Sequence, residues 1–86
     1  MSLDTGIYMA EFPDGFRVIH AQCIENVTYH KEGSVKWKKE MDSYFGKVEV
    51  FKDKDKAFHK LLYLNKEHET EYGIHEIGKF DYVPKK

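Results

Sequence analysis

Ile7-Tyr8-Met9-Ala10-Glu11-Phe12-Pro13-Asp14-Gly15-Phe16-Arg17-Val18-Ile19-His20-Ala21-Gln22-Cys23-Ile24 is the stretch on which the fold turns. Its first six residues set Ile7, Met9 and Glu11 on one side and Tyr8, Ala10 and Phe12 on the other. After Gly15 the same period returns, with Arg17, Ile19, Ala21 and Cys23 opposing Phe16, Val18, His20, Gln22 and Ile24. A period of two is that of a β-strand. Between the runs, Pro13 presets φ for a turn and Gly15 supplies a positive one. Two such runs joined by Pro-Asp-Gly predict a β-hairpin. A bulge near Glu25-Asn26 would carry the second strand on into Val27-Thr28-Tyr29.

Working outward, the stretch from Lys31 to Lys39 is polar, contains Gly33-Ser34, and reads as an exposed loop with Val35 and Trp37 as isolated apolar points. Met41, Tyr44 and Phe45 have the i, i+3, i+4 spacing of a short helical turn that Gly46 would end. Val48, Val50 and Phe51 read as a brief strand. The main helix follows. Asp53 caps it, Asp55 places a negative charge in its first turn, and Ala57, Phe58, Leu61, Leu62 and Leu64 make its apolar face, as far as about His68. Tyr72 to Ile77 reads as a strand that Phe80-Asp81-Tyr82-Val83 extends or pairs with, and Pro84-Lys85-Lys86 as a frayed end.

A helix with one apolar stripe needs a sheet face to cover. The expected fold is therefore α+β: a two-layer sandwich in which one main helix covers a small, mostly antiparallel sheet. The sheet combines the N-terminal β-hairpin with the C-terminal strands. If the strands at Val48 and Ile74 are neighbours, the helix is a right-handed crossover and they run parallel. The 86 residues have room for a single domain, 1–86.

Composition narrows the function classes. Aromatic residues make up 15% of the chain, enough ring area to build a core and to set disorder aside. Cys23 is the single cysteine and has no partner for an internal disulfide, which points to a reducing cytoplasmic interior. Residues 1–6 lack the basic and apolar regions of a signal peptide, and no apolar run reaches the roughly 20 residues that span a bilayer. A formal net charge of −1 gives no global attraction to nucleic acid or anionic lipid, so neither a membrane nor a nucleic acid is an expected partner on charge alone.

Several clusters bear chemistry-capable side chains. His68, Glu69, Glu71 and His75 form the densest potential metal set, but they straddle a helix end, and solvated polar residues explain them equally well. Cys23 with His20 nearby would suit a nucleophile, yet residues three apart on a strand point to opposite faces. Gly73 and Gly78 precede no helix, so no phosphate-cradling loop is present. No catalytic, cofactor or metal residue is assigned. The stretch from 31 to 39 sets Lys31, Lys36, Lys38 and Lys39 around Trp37, the combination with which single-stranded nucleic acid is held, phosphates on ammonium groups and a base on the ring. Tyr8, Tyr29, Tyr44, Tyr72 and Tyr82 are more rings than one helix covers, and Tyr favours interfaces. The edges of a small sheet also invite pairing with a partner.

Phe51-Lys52-Asp53-Lys54-Asp55-Lys56-Ala57, followed by Thr70-Glu71-Tyr72-Gly73-Ile74, resembles the strand–capped helix–strand pattern of small uncharacterised phage-encoded accessory proteins. The resemblance covers the last third of the chain and implies an accessory, non-enzymatic role in a phage or prophage setting. The reading that joins these strands is a small protein-interaction module with an as yet unidentified protein partner, a second copy of the chain being one candidate. The alternative is a single-stranded nucleic-acid binder acting through Lys31, Lys36, Trp37, Lys38 and Lys39.

Overall fold

A computed structural model describes residues 5–22 and 30–86. Cys23, Tyr29 and the expected continuation of the second strand through Glu25-Asn26 lie outside the described residues. β1 (Thr5–Phe12) and β2 (Gly15–Gln22) form the expected antiparallel hairpin, with Tyr8 opposite Ile19 and Met9 opposite Val18. Gly15 turns the chain at φ +138°, and a Cβ there would lie 2.5 Å from the Phe51 carbonyl oxygen. Only glycine satisfies both the turn and this close approach.

The segment read as an exposed loop from Lys31 to Lys39 is instead mostly helix. α1 runs Val35–Phe45, and Ser34 is its N-cap, its Oγ accepting from the Trp37 amide at 3.2 Å. Gly33-Ser34 thus starts a helix instead of marking the middle of a loop, and the following lysines are good helix formers. The expected turn at Met41 to Phe45 is the last part of α1. Trp37, Met41 and Phe45, spaced four apart, form its buried side.

The strand expected at Val48 to Phe51 is reduced to one antiparallel bridge. Phe16 and Phe51 exchange both backbone hydrogen bonds, at 2.7 and 2.8 Å, and residues 47–50 leave the sheet. α2 (Lys54–Glu67) begins as predicted, with Asp53 Oδ1 accepting from the Asp55 amide at 2.8 Å. Its buried residues are Ala57 and Leu61, while Phe58 and Leu62, assigned to the same stripe, are 44% and 45% exposed. β3 (Ile74–Lys79) pairs with β1 in parallel, giving the order β2-β1-β3. The sheet is therefore mixed, with one antiparallel and one parallel pair.

The α+β class and the main helix over a small sheet are as the residues predicted. The addition is cover on the opposite face. Tyr8, Ala10, Phe12 and Ile19 meet Trp37, Met41 and Phe45 of α1, whereas Ile7, Met9 and Val18 meet Ala57 and Leu61 of α2. β1 lies in the middle strand position with helix on both sides, which is why Ile7-Tyr8-Met9-Ala10 is continuously apolar.

A bulge in the β1–β3 pairing, at the step from Met9 to Ala10, includes Gly78 at φ +132°. Beyond it the chain turns over α1. Phe80 and Tyr82 lie 5.5 and 5.4 Å from the Trp37 ring, and Pro84 is buried, so the expected frayed end is a strap. Asp42 fastens it, accepting from the Tyr82 hydroxyl and, at 2.7 Å, from the Lys85 amide. Burial first, and then the Asp42 carboxylate, push the Tyr82 hydroxyl pKa up to about 12.

Candidate interaction site at the outer edge of β2

The two edges of this sheet differ in what they offer. β3 is six residues long and bulged, and carries Glu76 and Lys79, paired at 3.7 and 3.9 Å with Lys54 and Glu11. Short length, a bulge and charge are the usual means of blunting an edge. Among the described residues, β2 has no such protection over its middle. Since the N–H and C=O of Phe16 both face Phe51, strand geometry turns those of Val18 and His20 the same way. Among the described residues these groups have no backbone partner.

They open into a cleft of about 430 Å³. Its α1 wall carries Ile19, Tyr44 and Val48; its α2 wall carries Val18, Lys60 and Leu64. The two walls follow from the alternation along β2, which sends Ile19 towards α1 and Val18 towards α2. A strand laid along β2 would thus be covered by a helix on each side. The residues such a strand turned to the α1 side would meet Ile19 and Tyr44, and those turned to the α2 side would meet Val18 and Leu64 beside the Lys60 ammonium group.

His20 lies at the rim, and its ring stacks on that of His68 at the C-terminal end of α2, with centroids 3.9 Å apart and planes 7° from parallel. Burial, and then the neighbouring His68, hold the His20 imidazole below its usual pKa. The pair was not legible in the chain, because it joins residues 48 apart. The other feature missed is Arg17, which is 4% exposed. It donates to the Phe45 carbonyl oxygen at 2.7 Å and to Asp14 Oδ2 at 2.8 Å, and its guanidinium lies over the Phe12 ring. A cation at the C-terminal end of α1 is well placed against the helix dipole, and it ties that end to the hairpin turn. An arginine flanked by Phe16 and Val18 in an apolar strand was the available signal.

The other predicted residues are dispersed. Lys31, Lys36, Lys38 and Lys39 are exposed, but Trp37 between them is 3% exposed and faced by Phe80 and Tyr82. Its ring is not presented to a base. His68 is turned to His20, whereas His75 stacks on Tyr8 at 5.6 Å and its Nε2 lies 2.6 Å from the Tyr72 carbonyl oxygen. The two histidines of the set weighed for metal binding therefore serve separate contacts. Among the described residues no group of three His, Cys, Asp or Glu side chains is placed to hold a metal ion. Tyr8 is buried, Tyr44 and Tyr82 are half-buried, and Tyr72 is 44% exposed. Among the described residues no helix is long and apolar enough to cross a membrane.

No protein-family model, curated protein or solved structure matches the chain significantly.

Proposed function

We propose that this protein is a small non-enzymatic binding module that takes an extended segment of a partner protein as an added strand on β2. The observation that carries this reading is the direction of the Val18 and His20 backbone groups, into a cleft walled by two helices. Added-strand recognition draws affinity from main-chain hydrogen bonds and specificity from pockets for alternate side chains. The bridge to Phe51 supports it, since this edge already receives one antiparallel residue.

The walls also favour a foreign segment over a second copy. A second β2 would bring its own α1 and α2 up against the first pair. A lone strand has no such flanks. The phage or prophage accessory role implied by the resemblance of residues 51–57 and 70–74 is the setting we propose for this activity.

The test is selection from a random twelve-residue peptide library on the immobilised protein, followed by titration of the selected peptides. His20→Pro is the informative variant. It deletes an outward N–H and leaves the inward ladder to β1 intact, a position where an edge strand tolerates proline. We expect selected peptides with apolar residues at every second position at least, which lose binding by at least about tenfold on His20→Pro. Peptides that bind the variant as well as the parent would overturn the assignment.

A further inference from the structure

The segment facing the cleft is itself cut to fit it. Phe16 and Phe51 form a hydrogen-bonded antiparallel pair, and in such a ladder the next bonded pairs come two residues further along each strand. Continued from this bridge, the register would set Glu49 opposite Val18 and Lys47 opposite His20. In between, Val50 would face Arg17 and Val48 would face Ile19. The side chains suit those positions. Val48 and Val50 would turn to the α1 side with Ile19, and Glu49 would turn to the α2 side, where Lys60 lines the cleft. Gly15 already admits this segment closely, for a Cβ there would lie 2.8 Å from Val50 Cγ1.

We infer that residues 47–50 are a latch that closes on β2 as a fourth strand and competes with the partner segment for the same backbone groups. In the structure described here the latch is paired at Phe51 and open beyond it. This inference rests on the reading of the cleft as a strand-addition site and adds its regulation. A ligand would bind the open form and not the closed one, so its apparent affinity is set by the fraction of molecules that are open.

Hydrogen exchange at the Val18 and His20 amides, followed by NMR in the parent and in Glu49→Pro, tests the latch without any ligand. The substitution removes an N–H that the closed form needs, at an exposed position outside the regular elements. Loss of that bond should speed exchange of both amides by about three- to tenfold. Glu49→Lys, which sets a like charge towards Lys60, should act in the same direction and serves if the proline variant does not fold. The peptides selected on the parent should bind both variants more tightly than the parent. Equal exchange in parent and variants would overturn the latch and leave the cleft assignment standing. Faster exchange with no peptide binding would support the latch and overturn the cleft as a peptide site.

Discussion

The two faces of the sheet are built differently. On the α1 face, Trp37, Met41 and Phe45 are all at most 3% exposed, and the C-terminal strap closes over them with Phe80, Tyr82 and Pro84. On the α2 face the helix buries only Ala57 and Leu61, and leaves Phe58, Leu62 and Tyr63 between 44% and 55% exposed. The shorter helix thus has more of its apolar surface covered than the longer one. Cover from a third layer, here the strap, counts for more than helix length. The α1 face is the anchor of the fold. The α2 face is thinly held, and it meets solvent at the cleft beside β2, where the proposed strand addition would need room.

The contrast can be broken by measuring each face separately. Phe45 is fully buried and touches Phe12 with ring centroids 5.4 Å apart. Phe45→Ala should cost about 3–5 kcal/mol. Against a typical domain stability of about 5–15 kcal/mol that is a large share, so the denaturation midpoint should fall well below that of the parent. A chemical-denaturation midpoint near that of the parent would show that the α1 face is not the anchor.

On the other face the sharper experiment is a pair. Leu61 is fully buried against Ile7, Met9 and Val18, whereas Leu62 is 45% exposed. Leu61→Ala should cost about 2–5 kcal/mol. Leu62→Ala should stay within about 0.5 kcal/mol of the parent, as surface substitutions do. Equal losses at the two positions would mean that α2 is rolled on the sheet relative to its position here.

The α2 pair also shows where reading the chain reaches its limit. Periodicity places Phe58 and Leu62 on the same broad stripe as Leu61, but a stripe states only what could be buried. How much is buried depends on the width of the sheet beneath, and three strands cannot cover all of it. The hairpin was legible because Pro13-Asp14-Gly15 and a strict period of two are local signals. The mixed sheet was not, because the parallel pairing of β3 with β1 joins residues 67 apart. Burial on both faces of β1 was written in Ile7-Tyr8-Met9-Ala10, an apolar run with no polar alternation, and reading it for one covered face missed the second helical layer. α1 was hidden by its own N-cap, since Gly33-Ser34 marks a loop and a helix start alike. The same error turned Trp37 outwards beside its lysines. The cleft depends on backbone direction at an edge, which no side-chain pattern records.

The smallest expected effect concerns the end of the thin face, where His20 and His68 stack. In the folded protein the His20 imidazole is held below its usual value of 6.5, first by burial and then by His68. The unfolded chain lacks both influences and therefore takes up a proton more readily. Below pH 6.5 the unfolded state binds more protons than the folded one, so acid must weaken the fold through this residue. Its contribution is fully present above pH 6.5 and is lost as pH falls through the lower folded-state value. On the α2 face the loss should appear as a decline in denaturation midpoint from pH 7 to pH 5. Other groups titrate in the same range, so the informative quantity is the difference between the parent and His20→Gln. That variant keeps a polar rim side chain but has no proton to gain, and its midpoint should fall less. His68→Gln should recover only the part owed to the neighbouring ring, because His20 remains partly desolvated. Parallel pH profiles for the parent and His20→Gln would show that the stacked pair does not persist in solution and that the end of α2 stands away from β2.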